Sequence, residues 1–220
     1  MLSGLFVTGT DTGVGKTLVS AALLHRFRSV SGLRYWKPVQ TGIELDDDTA
    51  EVLRLSGLPD DRALHEGVRL ARPLSPHLSA SLAGLSIAVA GLVETASLQD
   101  ASTRWIVEGA GGVLVPLNER ELMIDFMTVL GLPVVVAARS GLGTINHTLL
   151  TLEALRARAL SIAGVVLVGP TNVDNRIAIE THGRTAVIGE LNWLDPLTPA
   201  ALQEASTAIA PGAALDWAFA

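Results

Sequence analysis

The stretch Val7–Thr17, VTGTDTGVGKT, constrains the fold of this chain more than any other. A short apolar run, Leu5–Gly9, enters it. A helical pattern leaves it, with Leu18, Ala21, Ala22, Leu24 and Phe27 mostly three to four residues apart. A strand that turns through glycines into a helix makes an anion site, because backbone N–H groups of the turn and the helix start converge. Gly13 and Gly15 permit turn conformations that a side chain would block. Lys16 is then placed to reach terminal phosphates, and Thr17 to offer its hydroxyl to Mg2+. The strict pattern G-x-x-x-x-G-K-[ST] nevertheless fails at its first letter. Thr10 stands where glycine is required, and the glycine falls one earlier, at Gly9. The bland alternative is a plain strand-to-helix turn carrying a surface lysine.

Further along, short β-branched runs alternate with stretches of helical period. RYWKPV, RWIVEG, PVVVAA, IAGVVLVG and AVIGEL read as strands. Helices are predicted near 50–56, 86–97, 124–130 and 144–159, with a weaker one before AVIGEL and others in the tail. A polar, proline-bearing stretch runs through Pro76. Strands apolar on both faces and separated by helices predict a parallel sheet covered on two sides. Such sheets bind ligands beyond the carboxyl ends of their strands. The informative residues do cluster there, at 8–17, 37–41, 108–112, 139–147 and 169–172. Residues 1–220 are therefore read as a single nucleotide-binding catalytic α/β domain, like those of P-loop NTPases.

Composition narrows the partners. The formal net charge is −6 and no basic block stands out, which argues against nucleic acid. The chain has no cysteine, so disulfides, thiolate metal sites and cysteine nucleophiles are excluded. Neither a secretory leader nor a membrane-length apolar run is seen, and a soluble cytoplasmic protein is the expectation.

Mg2+ on a nucleotide takes oxygen ligands, usually one or two carboxylates beside phosphate and water. Glu108 ends the strand WIVE, where an acid faces the crevice, and Gly109, Gly111 and Gly112 would let the backbone pass close to phosphate. The alternative is a solvated acid before a flexible turn. The acidic run Asp46–Glu51 has two readings, helix capping or metal ligation, and pattern alone does not choose an acid. Lys37, held by Pro38 at a strand end, is a compact cation that can steady charge on a transferring phosphoryl group. Thr41 follows on the next loop. Their alternatives are a solvated charge and a turn former.

Taken in order, VTGTDTGVGKT, KPVQTG, DDDTAEVLRLSG, PLSPH, VEGAGG, GLGTINHTLLTLEAL and IGELNWL resemble the dethiobiotin synthetases. The likeness runs from the N-terminus to about Leu194, and threonine ahead of the loop is usual in that family. It implies ATP and Mg2+ as co-substrate and cofactor, with Gly13, Val14, Gly15, Lys16, Thr17 and Leu18 cradling the triphosphate. Thr17, Asp48 and Glu108 would hold the metal. Gly109, Ala110 and Gly111 would lie along the nucleotide. Lys37, Lys16 and Thr12 become the catalytic set. Thr41, Pro73, Ser75, Thr12 and Lys37 would meet the diamine substrate. The start of the helix at Thr144, with Asn146, would take that substrate's distant carboxylate from a partner subunit, so a homodimer is implied. His147 is read as a helix-start residue with a structural hydrogen bond.

The likeness is incomplete. Some relatives have glutamate in place of Gly13, and some read adenine with an asparagine where this chain has Val168, Gly169 and Pro170. Asn172 is the candidate substitute, which leaves strict preference for ATP open. Gly169, Pro170, Asn192, Trp193 and Leu194 would line the base by position. Trp193, Trp217 and Phe219 are read as packing residues. Three other readings compete. An amidotransferase synthetase would need a cysteine-bearing domain. A partner-switching ATPase would favour a second lysine early in the loop, where Thr10, Asp11 and Thr12 stand. A silent nucleotide-binding homologue is separated only by assay.

Overall fold

The computed structural model describes residues 2–210 and Leu215. The strands are β1 (Ser3–Gly9), β2 (Leu33–Trp36), β3 (Val39–Thr41), β4 (Ala63–Leu64), β5 (Val68–Leu70), β6 (Arg104–Gly112), β7 (Val134–Arg139), β8 (Ile162–Val168) and β9 (Val187–Leu191). The helices are α1 (Lys16–Arg26), α2 (Asp48–Ser56), α3 (Pro76–Leu82), α4 (Val89–Ser97), α5 (Met123–Leu130), α6 (Thr144–Ala157), α7 (Val173–Gly183) and α8 (Pro199–Ser206). Seven strands form one sheet in the order β4-β2-β6-β1-β7-β8-β9, with every pairing parallel. Successive side chains of a strand point to opposite faces, and both faces here are buried. In β1, Phe6 joins one core with Trp36, Phe126 and Val136, while Leu5 and Val7 join the other with Leu23, Tyr35 and Val135. That double burial is why the strands read as unbroken apolar runs.

Parallel pairing sends all seven carboxyl ends to one rim. There β1 lies between β6 and β7, so the loop after Gly9 emerges at the centre of the sheet. The run RYWKPV does not make one strand. It breaks at Lys37–Pro38, and Val39–Thr41 leaves the main sheet to pair with β5 as a second, two-stranded sheet. Pro38 has no N–H to continue a ladder; its carbonyl accepts from Val68 N at 2.9 Å instead. The polar, proline-bearing stretch that runs through Pro76 contains β4 and β5, and α3 begins at Pro76 itself. Helix α4 starts at Val89, later than its apolar pattern suggests. Trp217 and Phe219 lie outside the described residues. Among those residues, no helix is long and apolar enough to cross a membrane.

Candidate active site

The loop between β1 and α1 is built as the glycine pattern requires. Gly15 caps α1 in the left-handed region, with φ at 92°. A Cβ there would come within 2.8 Å of Val168 at the end of β8, so only glycine fits. No side chain caps the helix and no acid stands in its first turn. The first amides of α1 are thus left for an anion. Helix α6 begins the same way, from Gly143 at φ 89°, also without a side-chain cap or an early acid. By contrast α2, α7 and α8 are capped by Asp47, Asn172 and Thr198.

Four charged groups converge at this rim. Lys37, only 3% exposed, reaches Asp48 Oδ2 at 2.7 Å and Glu108 Oε1 at 2.6 Å, so one ammonium bridges two carboxylates. It also donates to the Gly109 carbonyl at 3.2 Å. Glu108 is fully buried, and its second oxygen accepts from the Tyr35 hydroxyl at 3.0 Å. Thr17 Oγ1 donates to Asp48 Oδ1 at 2.8 Å. Lys16 turns back on its own loop and donates to the Asp11 carbonyl at 3.0 Å. The acidic run divides its labour. Asp47 caps α2 through Ala50 N, while Asp48, one residue on, faces Thr17 and Lys37.

Burial alone would lower the pKa of Lys37, but Glu108 and Asp48 outweigh it and the net shift is upward. Burial likewise works to raise Asp48, yet Lys37, Thr17 and Lys16 hold its carboxyl below the usual value. Lys16 differs. Burial, helped by the charge of Lys37, lowers it to about 8. An anion bound against Lys16 favours the charged form, so it raises this pKa. The bare lysine is charged below about 8 and loses its proton as pH rises through that value, whereas the bound one keeps it. Nucleotide binding should therefore take up a proton above about pH 8, and affinity should fall by up to about tenfold per pH unit there. Calorimetry in buffers of different ionisation heat measures the uptake. No uptake and a flat affinity across that range would place Lys16 away from the phosphates.

The phosphate loop separates two hollows. One, of about 540 Å³, is lined by Thr17, Asp46, Asp47, Asp48 and Arg54 among others. The other, of about 480 Å³, is walled by Thr10 and Asp11, by Gly112–Pro116, and by His147, Leu150, Thr151 and Ala154 of α6. The N–H of His77 donates to the Pro116 carbonyl at 3.2 Å, which sets the start of α3 against that wall. Gly42 packs on Pro73 and donates to the Arg72 carbonyl, bringing Thr41 beside the segment that holds Pro73 and Ser75. The Thr12 hydroxyl lies next to Gly111.

Several sequence expectations gain detail or need correcting. Gly109 packs against Phe6 and Met123, and Gly111 against Val115, so close packing also calls for these glycines. Thr144 turns its hydroxyl inward, 3.4 Å from that of Thr148. The His147 ring makes no hydrogen bond among the described residues and instead lines the second hollow. Trp193 is not a packing residue. It is 59% exposed, with its indole edge near Gly169. Asn172 uses its side-chain carbonyl to cap α7, and Asn192 accepts from Trp193 N. Asn146 is exposed and does not line the hollow.

Sequence reasoning missed several groups. Tyr35 sits inside an apolar run and looked like core. Arg69, on β5, donates to the Lys37 carbonyl at 2.8 Å; pairing across β3 and β5 carries it there. Arg139 reaches Asp11 Oδ2 at 2.8 Å and ties the end of β7 to the loop. It ends β7 and heads the stretch 139–147 noted at a strand end, but its partner could not be read from the sequence.

A parallel sheet with a glycine-cornered loop and a lysine–threonine pair at the head of α1 defines a nucleotide-binding protein of the P-loop class. The AAA domain family model matches residues 3–201. The ParA family ATPase from Chlorobium tepidum TLS shares the fold, with a TM-score of 0.52 and 13% identity over 100% of this chain and 98% of that one. MinC:MinD from Aquifex aeolicus gives 0.56 and 13% over 98% and 93%. Closer relatives fix the family. ATP-dependent dethiobiotin synthetase BioD of Rhodopseudomonas palustris (strain BisB5) is 47% identical over 93% of both chains. The BioD of Bradyrhizobium diazoefficiens is 47% identical over 91% of this chain and 92% of its own. The biotin biosynthesis bifunctional protein BioCD of Bordetella avium is 51% identical over 87% of this chain, which spans 40% of that protein's length. This chain belongs to the dethiobiotin synthetase family.

Proposed function

We propose that the chain is an ATP-dependent dethiobiotin synthetase, joining CO2 to 7,8-diaminononanoate and closing the ureido ring to give dethiobiotin, ADP and phosphate. The observation that carries this reading is the bridge of Lys37 between Asp48 and Glu108 beside the phosphate loop, a loop whose Thr10 and Asp11 also wall a largely apolar hollow. An alkyl chain suits those walls, and a reacting carbamate suits the lysine.

In the first step one amine nitrogen bonds to CO2 and loses a proton, leaving a carbamate. A carbamate oxygen then attacks the γ-phosphorus of ATP, the bond to the β-phosphate oxygen breaks, and ADP leaves. Finally the second amine attacks the carbonyl carbon of the mixed anhydride, expels phosphate, loses a proton and closes the ring. Positioning and charge stabilisation suffice for phosphoryl transfer, so no protein nucleophile is needed. Lys16 and the amides of 13–18 hold the triphosphate. Lys37 faces the carbamate and the γ-phosphate, with Thr12 between them. Thr41, Pro73 and Ser75 flank the diamine.

The donor set fits Mg2+, which favours a few oxygens and keeps waters. The Thr17 hydroxyl already meets Asp48, and two acids share a single cation. Thr17, Asp48 and Glu108 would hold the ion, whose chemistry is to neutralise charge on the phosphate oxygens. The start of α6, with its uncapped amides and Asn146, serves the substrate carboxylate across a homodimer interface in the cytoplasm. Gly169, Pro170 and Asn192–Leu194 face the base, with Trp193 as an exposed ring against it. Residues 1–220 act as one catalytic domain.

Purified protein given diaminononanoate, bicarbonate, Mg2+ and ATP should release phosphate only when the diamine is present, and dethiobiotin should accumulate in step. Phosphate release indifferent to the diamine would sink the proposal.

A further inference from the structure

We infer that Tyr35 is a positioning residue for the metal carboxylate: its hydroxyl fixes the far oxygen of Glu108, so that the near oxygen stays turned toward Lys37 and the nucleotide. The inference rests on reading this rim as a metal–nucleotide centre. Tyr35 and Lys37 stand two residues apart on one line of chain, so both face the same side of the sheet. Tyr35 is in register with Ile106 on β6, and its ring reaches two residues further to Glu108. The two donors hold opposite oxygens, Lys37 at 2.6 Å on Oε1 and Tyr35 at 3.0 Å on Oε2.

A carboxylate held by one bond can swivel about its last torsion. A second donor on the other oxygen removes that freedom. Tyr35 does so without adding charge, which separates its role from that of Lys37. The ring is fully buried, and Glu108 is the one hydrogen-bond partner of its hydroxyl among the described residues. Trp36, the next residue, points to the opposite core and donates to the Glu66 carbonyl. Asp48 and Arg69 also act on the Tyr35 hydroxyl through their charges, but Glu108 is the group it hydrogen-bonds. A phenylalanine would fill the space and leave the second oxygen unheld.

The test is ATP binding by calorimetry, with Mg2+ and with a chelator, for wild type, Tyr35→Phe, Glu108→Gln and the double variant. Tyr35→Phe should lose roughly ten- to a hundredfold of the enhancement that Mg2+ gives, in line with a hydrogen bond to a charged group. Its affinity in chelator should hold, and it should cost nothing further in Glu108→Gln. An unchanged enhancement, or equal losses with and without Mg2+, would overturn the inference. A wild type that shows no enhancement at all overturns the metal–nucleotide reading instead, and the inference with it. The chain has a single tyrosine, so its resonance Raman bands give a second measurement that needs no variant. They should shift when ATP is added with Mg2+ and stay still when ATP is added with chelator; bands that ignore Mg2+ count against the role.

Discussion

Lys37→Met should lower the turnover of dethiobiotin formation by about a hundred- to a thousandfold, while ATP still binds within a few fold of wild type. The magnitude is that of removing one preorganised donor from a charge-developing transition state. Methionine keeps the unbranched stem and deletes the ammonium, so the change is mostly one of charge. On the proposed reading binding survives, because the triphosphate would rest on Lys16 and the amides of α1, which Lys37 does not touch. The variant also leaves Asp48 and Glu108 without their shared cation, and losing one partner of a buried ion pair destabilises by about 3–5 kcal/mol. Turnover should therefore be compared at a temperature where circular dichroism shows both proteins folded. Normal turnover would mean Lys37 is misassigned. Equal losses of binding and turnover would make it a structural residue only.

Gly15→Ala should have the largest effect on nucleotide binding. Its Cβ would need a left-handed backbone and would press on Val168, which is 1% exposed at the end of β8. The left-handed conformation costs about 1–2 kcal/mol, and overpacking a core typically 1–3 kcal/mol. For a chain of this size that is a fall in Tm of about 4–20 °C. The loop can relieve the contact only by moving, which carries the first amides of α1 and Lys16 off the phosphates. A displacement of about 1 Å is also enough to cost about a hundredfold in turnover. Adding Val168→Ala should recover part of the stability and little of the binding. Wild-type ATP affinity in Gly15→Ala, measured by calorimetry, would show that the loop does not shape the site.

Much of this was legible in the sequence for a physical reason. A parallel sheet buried on both faces writes its strands as plain apolar runs, and its topology puts every functional loop at the same rim. Hence Lys16, Lys37, Asp48 and Glu108, spread over more than ninety positions, could be expected to meet. The short strands were harder. Ala63–Leu64 and Val68–Leu70 are too brief to show a period, and Pro38 hid the break between β2 and β3. Tyr35 was invisible because an aromatic in an apolar run is normally core. Only the register of β2 on β6 shows that its hydroxyl ends on Glu108. The glycines after Glu108 have a packing reason the sequence did not show, Gly109 against Phe6, Gly111 against Val115 and Gly112 against the carbonyls of Gly9 and Thr10. Trp193 followed the usual expectation for a tryptophan, and nothing local in Asn192–Leu194 foretells its exposure.

Two ammonium groups offset two carboxylates at the rim, and Asp46, Asp47 and Glu51 line the adjoining hollow with Arg54, so the cleft carries no marked excess of positive charge, in a chain whose formal net charge is −6. Such a mouth in an anionic body exerts little long-range pull on an anionic nucleotide. Encounter is left to diffusion, and recognition is deferred until the phosphates are close enough to meet the amides at the head of α1.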